Sequence, residues 1–306
     1  MIPVQSAHRA AATAASTEKI ATLLGGFSLE ATFPSEPEID ALRRTTPAGT
    51  RIYLSCPPNH SPERLIEFAV TVSKAGFEPV PHLTARAYTD RPSLDRVMSR
   101  FVGEAGVRSA LVIAGDRDDA AGPFEGALDL IESGALEAHG IREIDISGYP
   151  DGHPKIDDAV LHRAMMQKLD AAAKRGLAVG ITTQFCFEPD RILAWLRGLR
   201  EKGIAVPVRV GVAGPTSMRA LMRFALRCGV RTSLKGMLNP KAMQLFGVAA
   251  PDQIIRALAE AHDRAQLGPA SIHFFSFGGL NATAGWAMAA ALGRIEPELQ
   301  GFRVIG

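Results

Sequence analysis

The chain is poor in cysteine and in aromatic rings. Cysteine occurs three times in 306 residues, at Cys56, Cys186 and Cys228. The number is odd, the spacings are long and no C-x-x-C pair occurs, which argues against a disulfide frame and a zinc site and suits a reducing cytoplasm. With no base placed beside them by the sequence, all three read first as packing residues. Charge of one sign is also scarce: 34 basic and 32 acidic side chains leave a formal net charge of +2. They are scattered along the sequence, so no field develops that would draw nucleic acid or a membrane surface. No apolar run reaches the roughly 20 residues that span a bilayer. The first 20 residues, with "AHRAAATAAS", are rich in alanine and lack the apolar run of a secretory signal. The expectation is an N-terminal arm over 1–20 and one domain over 21–306. No G-x-G-x-x-G follows the first strand-like run, which counts against a doubly wound open sheet.

What is present is one pattern repeated. Short apolar, β-branched runs occur at 26–32, 51–56, 78–83, 108–114, 143–148, 178–184, 207–212 and 271–277. Between them lie segments with apolar residues at helical spacing, among them Leu65, Phe68 and Val72; Leu94, Val97, Met98 and Phe101; Ile192, Leu196 and Leu199; and Ile254, Ile255 and Leu258. Gly76, Gly176, Gly203 and Gly229 stand where helix C-termini favour glycine. Strand and helix alternating eight times predict a parallel (β/α)8 barrel, an α/β TIM barrel, in a chain long enough for one large domain. The stretch 229–247 breaks the repeat and reads as a short strand with an inserted loop and helix.

A barrel mounts its chemistry at the C-terminal ends of its strands. Those positions hold Glu30 and Thr32, Cys56 and Asn59, His82 and Thr84, then Gly115 and Asp116. On the other half they hold Tyr149 and His153, Gln184 and Phe185, and Ser276. Each has a plain structural reading. Asp116 after Gly115 can be a turn or cap residue, the histidines can be satisfied core residues, and Gln184 can simply hold backbone. Glu30 is the exception: a carboxylate interrupting an apolar strand in a closed barrel has no edge to escape to and asks for a function. "EIDISGYPDGHPKI", 143–156, is equally pointed, because it places a tyrosine and a histidine four residues apart in a proline-bracketed turn at a strand end.

"FSLEATFPSE", "PHLTA", "LVIAGD", "SGYPDGHP" and "GITTQFCF", in this order, resemble the motifs of the 5,10-methylenetetrahydrofolate reductase family. The resemblance runs from about Gly26 to Gly214 and returns at "SIHFFSFG". It implies a (β/α)8 barrel that binds FAD and interconverts 5,10-methylenetetrahydrofolate and 5-methyltetrahydrofolate by hydride transfer, with NADH or NADPH as electron donor. By resemblance, Glu30 and Asp116 are the catalytic residues. Cys56, His82, Ile113, Ala114, Gly115, Asp116, Tyr149, His153 and Lys168 bind the cofactor, and Glu30, Asp116, Gln184 and Met218 meet the substrate; no metal is implied. Opening the imidazolidine ring needs a proton for the departing nitrogen, and a desolvated carboxyl with a raised pKa at position 30 is the expected donor. The flavin carries the hydride, and the protein supplies orientation and electrostatics.

Four departures bear on function. An arginine that many members carry beside the flavin is Ala114 here; polar contacts on the next helix are Leu161 and Ala164; an aromatic over the second substrate is Met218; and an arginine near the last strand is Gly279. Fewer charged contacts predict weaker FAD retention, and the changed second site points away from nicotinamide and toward methyltetrahydrofolate oxidation. The expected partner is a tetrahydrofolate, without nucleic acid or membrane, and a homo-oligomer is compatible with the sequence. Two other readings compete: a metal-dependent barrel hydrolase using His82, His153, His273 and Asp116, which lacks the expected H-x-H pair, and a non-catalytic pterin-binding subunit.

Overall fold

Eight parallel strands close into a barrel in the order of the sequence, as expected. The structure, a computed structural model, describes residues 15–57, 60–227, 250–261 and 267–305. The strands are β1 (Ser28–Ala31), β2 (Arg51–Leu54), β3 (Glu78–Thr84), β4 (Ser109–Ile113), β5 (Glu143–Gly148), β6 (Ala178–Thr183), β7 (Val208–Ala213) and β8 (Ala270–Phe275). Closure comes from β8 pairing with β1, Ser28 opposite His273 and Glu30 opposite Phe275. The stretch 229–247, with Cys228, Gly229 and Asn59, lies outside the described residues.

The helices around the barrel are α1 (15–24), α2 (Glu36–Arg43), α3 (Arg64–Lys74), α4 (Arg91–Ala105), the short α5 (Ala127–Glu132) and α6 (Ala135–Ala138), α7 (Asp158–Lys174), α8 (Pro189–Glu201), α9 (Met218–Arg227), α10 (Asp252–Ala261) and α11 (Leu280–Ala291). Local chemistry sets their ends. In α4, the Asp90 carboxylate accepts the Ser93 backbone N–H at 2.6 Å, Pro92 sits in the first turn, and Gly106 ends the helix at φ 64°. A hairpin of β9 (Ile295–Pro297) and β10 (Phe302–Val304) follows α11 and packs Phe302 on Trp286, ring centroids 5.5 Å apart.

Strand alternation divides the packing in two. Leu29, Ile52, Leu54, Leu83, Val112, Ile146, Ile181, Val212 and Phe274 belong to one large buried cluster with the helices, which Ile20, Leu23 and Leu24 of α1 join. Each such side chain stabilises the fold by about 1.5–3 kcal/mol. A separate small apolar cluster of Tyr53, Val80 and Leu111, with Ile113 against it, fills only part of the barrel interior. A network of charged side chains occupies another part. Arg51 bonds Glu143 through both oxygens at 2.5 and 2.7 Å and Glu78 at 3.1 Å. Arg209 meets Glu143 at 3.0 Å and Asp145 at 2.7 Å. Asp145, 3% exposed, also accepts the Thr182 hydroxyl at 2.8 Å and the Tyr53 phenol. Barrels of this kind are ordinarily filled by branched apolar layers. Here five charges from four strands do that work, each with a partner, as burial of charge requires.

Candidate functional site at the barrel mouth

Glu30 lies in the interior with two imidazoles aimed at one of its oxygens. His82 Nε2, from β3, is 3.5 Å from Glu30 Oε2, and His273 Nε2, from β8, is 3.7 Å from the same atom. Both nitrogens are buried and neither makes a hydrogen bond of good geometry. On its far side the His273 ring is held by Ser28, whose Oγ is 2.9 Å from Nδ1. Burial pushes the Glu30 carboxyl up, but the His82 and His273 rings beside it, together with the Ser55 hydroxyl, outweigh it and hold the group below the ordinary carboxylate range. The expectation of a raised acid thus meets the opposite balance, because the sequence does not reveal that β3 and β8 bring donors to the same carboxylate. Burial pushes His82 down, against the pull of Glu30 and Asp116.

The loops after β2 to β4 form one wall. Cys56, Thr84, Ala114, Gly115, Asp116 and Arg86 surround a shallow pocket there. Gly115 has φ 92° and lies so close to Thr84 that a Cβ would be 3.0 Å from that residue's Cβ, a conformation and a packing that both favour glycine. Ile113 is the last residue of β4, and Asp116 follows as an exposed carboxylate. Arg86 was not among the sequence candidates. Its guanidinium donates to the Arg117 carbonyl at 2.8 Å and the Glu125 carbonyl at 2.9 Å, and so fixes the loop after β4. Burial, with Glu63 adding to it, raises the Cys56 thiol, which keeps it protonated.

The turn after β5 carries Tyr149 and His153, edge to face with ring centroids 5.3 Å apart. Gly152 N–H bonds the Tyr149 carbonyl, and an Asp151–Arg191 ion pair at 2.8 Å ties the turn to α8. Because the Lys155 backbone N–H donates to His153 Nδ1 at 3.2 Å, that nitrogen is an acceptor and the neutral ring carries its proton on Nε2. Burial and Lys155 both push its pKa down, in agreement. Lys168 lies ten residues into α7, roughly 15 Å along the helix axis. It has no ion pair among the described residues, and burial pushes its ammonium down.

Gln184 follows β6; its Oε1 accepts the Phe185 N–H at 3.1 Å and its own N–H bonds Gly148. Met218 opens α9. One turn and a half later Phe224 stacks on Phe277, centroids 4.1 Å apart, and Phe277 in turn stacks on Phe275 at 5.6 Å. That aromatic staircase, with Ser28, Arg86 and the interior charges, escaped the sequence reading. His273 was noted only as a potential metal ligand, and among the described residues no three His, Cys, Asp or Glu side chains close on one metal-sized point. A usable signal existed for the charges: "RIYL", "EIDISG" and "VRVGV" alternate ionic and β-branched residues in strands that a barrel buries on both faces.

Comparison with known proteins adds three findings. A family model described as methylenetetrahydrofolate reductase matches residues 45–268. Methylenetetrahydrofolate reductase 2 of Saccharomyces cerevisiae is 27% identical over 169 residues, which cover 51% of this chain and 27% of that protein. The chain therefore spans about a quarter of the length of this curated relative. A structure of Yersinia pestis DHPS with a pterine-sulfa conjugate superposes with a TM-score of 0.46 at 14% identity, covering 87% of this chain and 91% of that one.

Proposed function

The chain belongs to the methylenetetrahydrofolate reductase family, and from that premise we propose that it is a flavin-dependent oxidoreductase acting on the one-carbon unit of tetrahydrofolate, running toward oxidation of 5-methyltetrahydrofolate. The observation that carries the reading is Glu30, one carboxylate drawn into a barrel mouth with two buried imidazole nitrogens 3.5 and 3.7 Å from one oxygen.

The side chains fit a flavin. His82 Nε2 is a buried polar atom without a hydrogen-bond partner, His153 presents a donor at Nε2, and Lys168 is a half-buried cation with no acidic partner among the described residues, suited to a phosphate. Tyr149, His82 and His153 would border the ring system and Lys168 the diphosphate. Backbone at Ile113, Ala114 and Gly115 would pack alongside. FAD supplies a two-electron hydride acceptor there when bound. Everything else falls to the protein. Glu30, held as a carboxylate by its neighbours, takes the proton from N10 of methyltetrahydrofolate as that nitrogen closes on the methylene carbon; its lowered pKa suits a base more than an acid at neutral pH. In the reverse direction the same group returns the proton. Gln184 offers amide donors to a pterin edge, and Asp116 a carboxylate beside it. Met218 and Gly279, where an aromatic and an arginine are expected by resemblance, weaken the case for NADH or NADPH as partner.

The test is a half-reaction. Protein saturated with FAD and mixed anaerobically with 5-methyltetrahydrofolate should bleach the flavin absorbance and release 5,10-methylenetetrahydrofolate in equal amount. Protein that binds no flavin, or binds it and shows no bleaching with either folate, would sink the reading.

A further inference from the structure

Two buried imidazoles facing one carboxylate oxygen raise the question of where the protons sit. His273 is fully buried, and the only hydrogen bond its ring makes among the described residues joins Nδ1 and Ser28 Oγ. The ring can hold one proton on either nitrogen. If Nδ1 carried it, Nε2 would present a lone pair to a carboxylate 3.7 Å away, two electron-rich atoms with no proton between them in a dry site. If the Ser28 hydroxyl donates to Nδ1, Nε2 carries the proton and points it at Glu30. Only the second arrangement leaves each atom a complementary partner.

We propose that Ser28 and His273 are positioning residues for Glu30: Ser28 fixes His273 as the Nε2–H tautomer, and His273, with His82 on the opposite side, then sets when the Glu30 carboxyl carries a proton. This rests on the proposed chemistry at Glu30. The proton balance is simple. A proton taken by Glu30 from the substrate nitrogen leaves the carboxyl for water at the mouth, where the Glu30 side chain is partly exposed. His273 keeps its own proton throughout and serves as a fixed donor.

The other charged and titratable groups about this centre are few. Tyr53 of β2 packs its ring against His273, centroids 4.6 Å apart, with its phenol turned to Asp145 of β5. Arg209 of β7 neutralises Asp145. Asp116, after β4, acts on His82 from the mouth. Glu30 therefore feels the two imidazoles first, and the Asp145–Arg209 pair lies behind the tyrosine. The 3.5 and 3.7 Å separations are longer than the usual hydrogen bond and are expected to tighten when a substrate covers the mouth.

Two measurements on the full chain test the proposal. The first is proton-detected NMR of protein labelled with nitrogen-15 histidine, across pH, for wild type, Ser28→Ala and Glu30→Gln. The expected result is Nε2 protonated and Nδ1 bare on His273 in wild type, a mixed tautomer in Ser28→Ala, and in Glu30→Gln a displaced His273 Nε2–H signal with an altered pH response of His82. A wild-type His273 protonated on Nδ1, or ring signals indifferent to Glu30→Gln, overturns the proposal. The second is the pH profile of flavin bleaching by 5-methyltetrahydrofolate. Losing the donor lets Glu30 keep its proton to higher pH, so the acid limb in Ser28→Ala should move up by about half a unit or more, and bleaching on that limb should be about threefold slower than wild type at the same pH. Ser28→Thr, which keeps the hydroxyl, should restore both. Wild type that bleaches while Ser28→Ala keeps an unmoved profile also overturns the proposal. Wild type that never bleaches overturns the function reading instead, and the tautomer data then decide the proposal alone.

Discussion

Gly180 of β6 and Asp145 of β5 are register partners, and the space a side chain on Gly180 would fill is already taken: a Cβ there would overlap Asp145 Oδ1 and come within 2.9 Å of Arg209 Nη1. The glycine is needed for what faces it, since its own backbone is ordinary strand. Gly180→Ala must therefore push apart a buried ion pair, and should cost about 2–4 kcal/mol in urea unfolding. A loss under half a kcal/mol would show that the interior charges yield easily and do not fix the barrel.

The same network makes stability depend on acid. The hydrogen bond from Arg51, with the Arg51 and Arg209 charges, holds Glu143 below its ordinary value of 4.5 despite burial. A carboxyl depressed in the folded state contributes stability that is fully present above its unfolded value and is lost as pH falls through its folded value. Midpoints of thermal unfolding should thus be flat above about pH 5 and drop below it. Glu143→Gln should be less stable at neutral pH and should drop less steeply in acid. Parallel curves for the two proteins would remove Glu143 from the account.

Glu30→Gln keeps the shape of the side chain and removes its capacity to hold the exchanged proton. Folate turnover in either direction should fall by about 100-fold or more, while FAD binding stays close to wild type. Turnover within a factor of about three would retire Glu30 as the proton-transfer group, whatever else it binds.

Ala114→Arg probes cofactor retention. Arg86 stands nearby, yet two of its nitrogens are committed to the Arg117 and Glu125 carbonyls, so it does not replace the guanidinium absent from position 114. A new arginine there should tighten FAD by about 1–3 kcal/mol, the range for a charge-assisted hydrogen bond. Flavin fluorescence titration of the apo-protein decides it; a variant no tighter than wild type means that Lys168 and backbone donors already hold the diphosphate.

The barrel was legible because its strands are short apolar runs set between helices with strong periodicity, and each of the eight expected barrel strands overlaps an observed one. Period-2 alternation could also have been read in "EIDISG", but what Glu143 and Asp145 meet could not. Arg51 lies 92 residues from Glu143, and Arg209 lies 64 from Asp145; only closure makes them neighbours. The same holds at the mouth. Motif order marked Glu30 and His82, in the C-terminal halves of their strands, and Tyr149 and His153, in the turn that follows β5. Ser28 and His273 sit one pleat deeper on strands from opposite ends of the chain, so their pairing with Glu30 becomes visible once β8 lies beside β1. The direction of the Glu30 shift follows from His82 of β3 first and from His273 second, and neither neighbour was visible before the barrel closed.

The interior charges also constrain how such a chain could be taken apart. Cut between β4 and β5, the first piece keeps Arg51 and Glu78 while the second keeps Glu143, Asp145 and Arg209. Arg51 leaves behind its two-pronged acceptor, and Arg209 faces two carboxylates with one charge. An apolar barrel can be halved at the expense of exposed surface that a second copy could cover. This one, divided, would leave the second piece with a buried carboxylate in excess while Arg51 falls back on Glu78 in the first, so two copies of the second half are a poor substitute for the whole.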